Sequence, residues 1–225
     1  MRSAVAALSF FILMSATGAR AAVLDQSQDN VDSNLFIGTG DARIAQTFTA
    51  GLDGELTQVR LRIGYLPGTG GALDASDLLL EVMSVDTAGK PSGTVLATAS
   101  HAHGDFPLAG GFNDSPYTAF NFGGVPLHRK TQYALALRVA SPDQPCASAG
   151  ASCTPPGYRA NDAFASDFYP AGALFSGAGA VPGVQLRGDL SFQTFMSAVP
   201  EPQAWLAALL GIGAWSLRGL GRLRR

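Results

Sequence analysis

Three side chains that could hold a metal ion lie close together at His101, His103 and Asp105. In an extended strand alternate residues share a face, so the three would point the same way, and imidazole with carboxylate suits zinc or copper. The alternative is a polar strand end that runs into a turn before Pro107. Because the sequence offers no further group of ligands, we favour the turn and predict no bound metal.

Two sets of acidic residues could supply oxygen ligands for calcium. They are Asp25, Asp29 and Asp32 near the start of the chain, and Asp74 with Asp77 further on. Neither set has the alternating spacing of a known calcium-binding loop, so solvated turn residues are the favoured interpretation, with calcium as the alternative.

No pattern in the sequence indicates covalent or acid–base catalysis. There is no G-x-S-x-G elbow, and none of the three histidines has a recognisable serine partner. A glycosidase would need two carboxylates facing one cleft, and no such pair can be identified from spacing alone. We therefore predict no enzymatic activity and no catalytic residues.

Aromatic side chains between Tyr158 and Tyr169 suggest a different function, the binding of glycans. The set comprises Tyr158, Phe164, Phe168 and Tyr169, with Asn161, Asp162 and Asp167 beside them. The alternative is that these rings cap an open end of the fold. We favour the cap, because both tryptophans of the chain, Trp205 and Trp215, lie in its C-terminal tail.

The only two cysteines, Cys146 and Cys153, are predicted to form a disulfide, because the chain carries an export signal and exported domains meet oxidising conditions. Closing so short a loop would stabilise the protein by roughly 2.5 kcal/mol on the chain-entropy model.

Hydrophobic alternation with a period of two predicts the elements that position these residues. Val59, Leu61, Ile63 and Tyr65 would face inward with Arg60 and Arg62 outward; Tyr133, Leu135, Leu137 and Val139 repeat the pattern opposite Arg138; Leu190, Phe192 and Thr194 alternate with Ser191, Gln193 and Phe195. Further strands are predicted at 45–49, 78–85, 94–99 and 118–122. The pattern is typical of an all-β, antiparallel β-sandwich, with an irregular excursion over 141–183.

The N-terminal segment has the features of a secretory signal peptide over residues 1–21. Arg2 provides the positive charge, 4–14 form the apolar segment, and Ala19-Arg20-Ala21 is a small-residue cleavage site. Of 15 basic and 17 acidic residues in the chain, two arginines precede residue 22, and four arginines and one glutamate follow residue 198. The body, 22–198, thus carries 9 basic and 16 acidic residues, net −7, which argues against nucleic acid as a partner.

The C-terminal segment, 199–225, predicts a membrane helix with the body outside. An apolar run from Ala204 to Leu217 follows Pro200 and Pro202 and would span only about 21 Å as a helix. Extension to about 204–223 reaches the ~30 Å of a bilayer core if the arginines snorkel. The chain then closes on four arginines, which we call the basic stop: Arg218, Arg222, Arg224 and Arg225. Their positive charge would keep that end of the helix in the cytoplasm.

In order and position this tail resembles the PEP-CTERM sorting signal of Gram-negative bacteria, with Val199, Pro200, Glu201 and Pro202 as the motif. The resemblance implies recognition and processing by exosortase, transient residence in the inner membrane, and association with exopolysaccharide.

The body resembles the choice-of-anchor surface domains over about 35–196. The likeness lies in Ala45-Gln46-Thr47-Phe48-Thr49-Ala50, Leu56-Thr57-Gln58-Val59, Gly89-Lys90-Pro91-Ser92-Gly93, Tyr133-Ala134-Leu135 and Gly188-Asp189-Leu190-Ser191-Phe192-Gln193-Thr194. It implies a jelly-roll-like sandwich outside the cell and carries no catalytic residues.

Together these features predict an exported protein of the cell surface or extracellular matrix, of structural or adhesive type. The alternatives are a lectin-like, glycan-binding module and a protein held permanently by its tail.

Overall fold

The computed structural model describes residues 21–38, 42–68, 76–109, 115–141, 156–164 and 168–198, and this part of the chain is all-β, as predicted. No helix among these residues is long and apolar enough to cross a membrane. The strands are β1 Ala22–Gln28, β2 Ser33–Ile37, β3 Ala42–Thr49, β4 Gly54–Leu66, β5 Leu78–Val85, β6 Pro91–His101, β7 Tyr117–Leu127, β8 Gln132–Val139, β9 Gly157–Ala163, β10 Leu174–Ala178, β11 Val184–Gln185, β12 Asp189–Leu190 and β13 Phe192–Ala198.

The strands form two antiparallel sheets whose apolar faces share one core. In the first sheet the order is β1-β13-β4-β7 around the first part of β4, whose last residues pair instead with β9. Strands β2 and β12 also pair with β9. The second sheet has the order β11-β10-β3-β8-β5-β6.

The alternation in β4 sets which residues meet the core. Val59, Leu61 and Ile63 are buried, whereas Arg60 and Arg62 lie on the outer face of the first sheet. Leu135 and Leu137 of β8 contribute to the same cluster from the second sheet. The predicted inward residues of β4 and β8 are thus confirmed. Burial of each such side chain contributes roughly 1.5–3 kcal/mol to the stability of the fold.

The prediction of an irregular excursion over 141–183 is wrong for two segments. Gly157–Ala163 forms β9, and Leu174–Ala178 forms β10, which pairs with β3. The alternation of β9 was hidden because its core-facing side chains are Tyr158, Ala160 and Asp162, only one of which is a large apolar residue.

A second apolar cluster lies on the outer face of the second sheet. It consists of Ala45, Met83, Ala134, Ala136 and Phe175. The connection between β10 and β11 reaches across this face, because a Cβ built on Gly93 of β6 would lie 2.7 Å from Val181 Cγ2. We call this connection, residues 179–183, the strap.

Candidate functional site

The structure does not form the extended geometry on which metal binding by His101, His103 and Asp105 depended. Strand β6 ends at His101, and His103–Asp105 form a single 3-10 turn. The His101 ring packs edge-on against Phe106, with centroids 4.5 Å apart. No group of three metal-ligating side chains occurs within the described ranges. The chain at this point is a polar strand end that enters a turn.

The acidic residues proposed for calcium each hold a different part of the chain. Asp25 accepts the Gly51 backbone N–H at 3.0 Å, and burial raises the pKa of this carboxyl. Asp29 accepts the Tyr117 hydroxyl, and Asp32 accepts the Phe164 N–H at 2.6 Å. Asp77 accepts the His103 N–H at 3.2 Å, whereas Asp74 lies outside the described residues. Structural bonds therefore account for the four described carboxylates.

The aromatic set proposed for sugar binding does not form one surface. Tyr158 is fully buried and donates to the Ser76 carbonyl at 2.6 Å. Tyr169 is also buried, packs edge-on against Phe192 at 5.2 Å, and has its pKa raised by burial to about 12. Phe164 and Phe168 are exposed. Two of the four rings thus belong to the protein interior and cannot stack on a sugar.

Gln46 joins two segments that the sequence singled out separately. Its amide Nε2 donates to Asp189 Oδ1 at 2.9 Å, and its Oε1 accepts the Leu190 N–H at 2.8 Å. The second oxygen of Asp189 accepts the backbone N–H groups of Phe168 and Tyr169 at 3.1 and 3.0 Å. Both side chains are fully or almost fully buried, so these residues fasten β12 to β3 across the sandwich. Their role is structural.

Asp162 is a buried carboxyl that faces the core side of β9. It has 0% exposure, and neither carboxyl oxygen forms a hydrogen bond of normal geometry. Its pKa is raised to about 6, chiefly by desolvation and further by the charge of Asp32, while hydrogen bonding to Ser33 across the strand pair opposes the rise. Sequence reasoning had grouped Asp162 with the sugar-contacting polar residues, and nothing in its neighbours signalled burial.

The outer face of the first sheet carries an ordered group of polar side chains that sequence reasoning missed. We call it the polar face. It comprises Gln58, Arg60 and Arg62 of β4, Tyr117, Ala119 and Asn121 of β7, Gln193 and Phe195 of β13, and Asp29 after β1. The signal was present, because the alternation in β4 and β13 already predicted Arg60, Arg62, Gln193 and Phe195 on the outward side.

Hydrogen bonds and ring contacts order the side chains of this face. Arg60 Nε donates to Gln58 Oε1 at 2.7 Å, and Gln58 Nε2 donates to Asn121 Oδ1 at 2.8 Å. The Arg60 guanidinium carbon lies over the Phe195 ring, 4.6 Å from its centroid. Such contacts restrict the rotamers of long side chains before any ligand arrives.

A second guanidinium repeats the arrangement beside the first. Arg62 Cζ lies 5.0 Å from the centroid of Tyr117. The Tyr117 hydroxyl donates to Asp29, which also accepts from Gln193 Nε2 at 3.2 Å. Burial, and then the bond to Asp29, raise the pKa of Tyr117, so the phenol stays protonated and donates at neutral pH. Within the described residues neither Arg60 nor Arg62 forms an ion pair.

The two ends of the described body lie side by side. Strand β1 begins at Ala22 and pairs antiparallel with β13, so that Ala22 is opposite Ser197. Ala198 is opposite Gly54 at the start of β4. The first residue of β1 and the last residue of β13 therefore lie on neighbouring strands at one end of the sandwich.

The remaining predicted sites lie outside the described residues: the cleavage residue Ala19 (Ala21 is described), Cys146 and Cys153, the sorting motif from Val199 to Pro202, the membrane helix at about 204–223 and the basic stop. No family model matches the chain, and no curated protein or solved structure matches it either.

Proposed function

We propose that the chain is an exported protein of structural or adhesive type, sorted to the cell surface or matrix through residues 199–225. The signal peptide over 1–21 would direct export, and exosortase would recognise Pro200-Glu201-Pro202 while the following helix holds the protein in the inner membrane. The strand order supports the assignment of residues 22–198 as a jelly-roll-like surface domain. Strands β1-β13-β4-β7 face β3-β8-β5-β6, which is the order of a jelly roll, with β2 and β9–β12 as additions.

The observation that carries this proposal is the pairing of β1 with β13. Because Ala22 and Ala198 lie at the same end of one sheet, export signal and tail can both emerge toward the membrane without crossing the body. The outer face of the first sheet and the opposite end of the sandwich then stay free for contacts outside the cell. A body that is held at one end and free on its other faces suits a protein that makes contacts at the cell surface.

Truncation after Ala198 tests the sorting proposal. The full chain should fractionate with the inner membrane or cell surface, whereas the truncated chain should appear in the periplasm or medium. A chain with the four arginines of the basic stop changed to lysine keeps the tail and its charge, and as the matched control it should fractionate like the parent. If truncated and intact chains fractionate identically, the tail is not the sorting element. Intact mass of the surface form separates a processed protein from one held permanently by its tail.

A second candidate function, glycan binding, is favoured by the polar face. Its amides, guanidinium groups and hydroxyl form a preorganised set of donors and acceptors on a sheet surface. Sugar hydroxyls are recognised by such groups in combination with aromatic rings. This candidate is compatible with the first, because an adhesive surface protein needs a ligand in the matrix.

A further inference from the structure

We propose that the polar face binds a polysaccharide that carries carboxylate groups, with Arg60 and Arg62 as the residues that select for acid sugars. The inference deepens the glycan-binding candidate and rests on it. It differs from the earlier hypothesis in place as well as in ligand, because the aromatic residues between Tyr158 and Tyr169 play no part in it.

The dimensions of the face suit an extended chain of sugars. Residues 58, 60 and 62 on one strand are spaced about 7 Å apart, and β13, β4 and β7 are spaced about 4.8 Å apart. Ala119 lies opposite Arg60 and is the small residue between Tyr117 and Asn121. On β7, therefore, no long side chain stands directly opposite the guanidinium, and the phenol and the amide lie two residues to either side.

The charges of the face favour an acidic ligand. The body carries a net charge of −7, yet this face holds two adjacent arginines against one carboxylate, and neither arginine forms an ion pair among the described residues. The carboxylate, Asp29, accepts from Tyr117 and Gln193 instead. On the outer face of the second sheet, by contrast, two arginines share a carboxylate partner. Glu81 accepts from Arg43 at 2.9 Å and from Arg138 at 2.8 Å. A planar guanidinium binds a carboxylate through two parallel N–H bonds.

The composition of the face argues against other macromolecules. Phe195 and Tyr117 are half-buried beneath the arginines, so the face presents no exposed large apolar anchor of the kind that protein interfaces need. The acidic body as a whole repels the continuous phosphate charge of nucleic acid. A polysaccharide with spaced carboxylates needs only two cations and several hydroxyl-binding groups, which this face supplies.

The ligand preference can be measured by affinity electrophoresis of the full chain in mild detergent. Gels would contain polygalacturonate, dextran sulfate or neutral dextran. We expect retardation by polygalacturonate, weaker retardation by dextran sulfate, and none by dextran. The double variant Arg60→Gln/Arg62→Gln should bind polygalacturonate about tenfold more weakly, since two charge-assisted contacts at a solvated surface together are worth about one factor of ten. The control Arg187→Gln removes one exposed charge away from the face and should bind like the parent.

Each other outcome overturns a stated part of the proposal. Equal retardation by dextran, unchanged in the double variant, would leave glycan binding in place but refute selection by the arginines. If Arg187→Gln weakens binding as much for its one lost charge as the double variant does for each of its two, binding responds only to net charge and the site is refuted. Absence of retardation by all three polymers would refute glycan binding itself, while the sorting proposal would still stand or fall on the truncation experiment.

Discussion

Replacement of Asp162 by asparagine should make the protein more stable at neutral pH and less sensitive to pH. The carboxyl is fully buried without a well-formed hydrogen bond, and its pKa is raised from 3.8 to about 6. A pKa that is higher in the folded state means that folding favours the protonated acid. The stabilising effect of protonation is therefore complete below pH ~4 and is lost as the pH rises through about 6.

The size of the effect follows from the shift. A difference of about two pKa units corresponds to about 3 kcal/mol, because one unit is worth about 1.4 kcal/mol. At pH 7.5 the parent carries this cost of a buried charge, and the neutral amide of Asp162→Asn does not. For a domain of this size the gain would raise the melting temperature by roughly 6–12 °C. At pH 4 the parent is largely protonated, and the two proteins should differ by less than about 1 kcal/mol.

Urea denaturation followed by circular dichroism, repeated between pH 4 and pH 8, would measure the difference. The control Asp105→Asn removes an exposed carboxylate in the turn after β6 and should show no such dependence. The informative quantity is the stability of the variant minus that of the parent at each pH. If this difference is the same at pH 4 and pH 7.5, the buried carboxyl does not titrate as the structure indicates, and the argument is wrong.

Three further substitutions test structural contacts by urea denaturation at pH 7. Glu81→Ala should cost about 2 kcal/mol, because it leaves two partly buried arginines without their shared carboxylate. Gly188→Ala should cost more than about 2 kcal/mol, because φ is +84° there and the new Cβ would lie 2.1 Å from the Ala163 carbonyl oxygen. Gln46→Ala should cost about 3 kcal/mol, since it removes two buried hydrogen bonds, one to Asp189 Oδ1 and one from the Leu190 N–H.

Matched variants exist for all three. Gly179 has the same φ of +84° with no atom within 4 Å of a new Cβ, so Gly179→Ala isolates the backbone cost. If it destabilises as much as Gly188→Ala, the close packing is not the cause. Glu55→Ala and Gln185→Ala remove exposed side chains of the same types and should change stability by less than about 0.5 kcal/mol. Costs as large as those of Glu81→Ala or Gln46→Ala would contradict the roles given to the buried contacts.

Sequence alternation was sufficient for strands with large apolar side chains on one face. Leu78–Val85 was predicted with its observed bounds, and the inward residues of β4 and β8 are those that the pattern indicated. These strands satisfy the physical condition behind the method, since their inward side chains bury enough apolar surface to stand out against polar neighbours.

The strands that were not predicted, β1, β2 and β9–β11, are defined by tertiary contacts that leave little trace in the sequence. Strand β9 buries Asn161 and Asp162, and β1 buries Gln28, whose amide donates to the Asn30 carbonyl at 3.1 Å. A polar side chain buried with hydrogen bonds looks the same in the sequence as a solvated one. For the candidate site, the outward residues of single strands could be predicted, but their assembly into the polar face required the register of β13, β4 and β7.

Strand β13 has a mechanical consequence through its position. It pairs with β1 over six residues and with β4 over seven, and the chain leaves it at Ala198 toward the tail. Tension applied through a tether at that point would pull along the strand axis. Antiparallel hydrogen bonds run perpendicular to that axis, so both ladders would be loaded in shear at once rather than opened one bond at a time. If the proposed tail holds the body in flowing water, the load would thus fall on thirteen residue pairs at once, and unfolding at the tether would be opposed by both neighbouring strands.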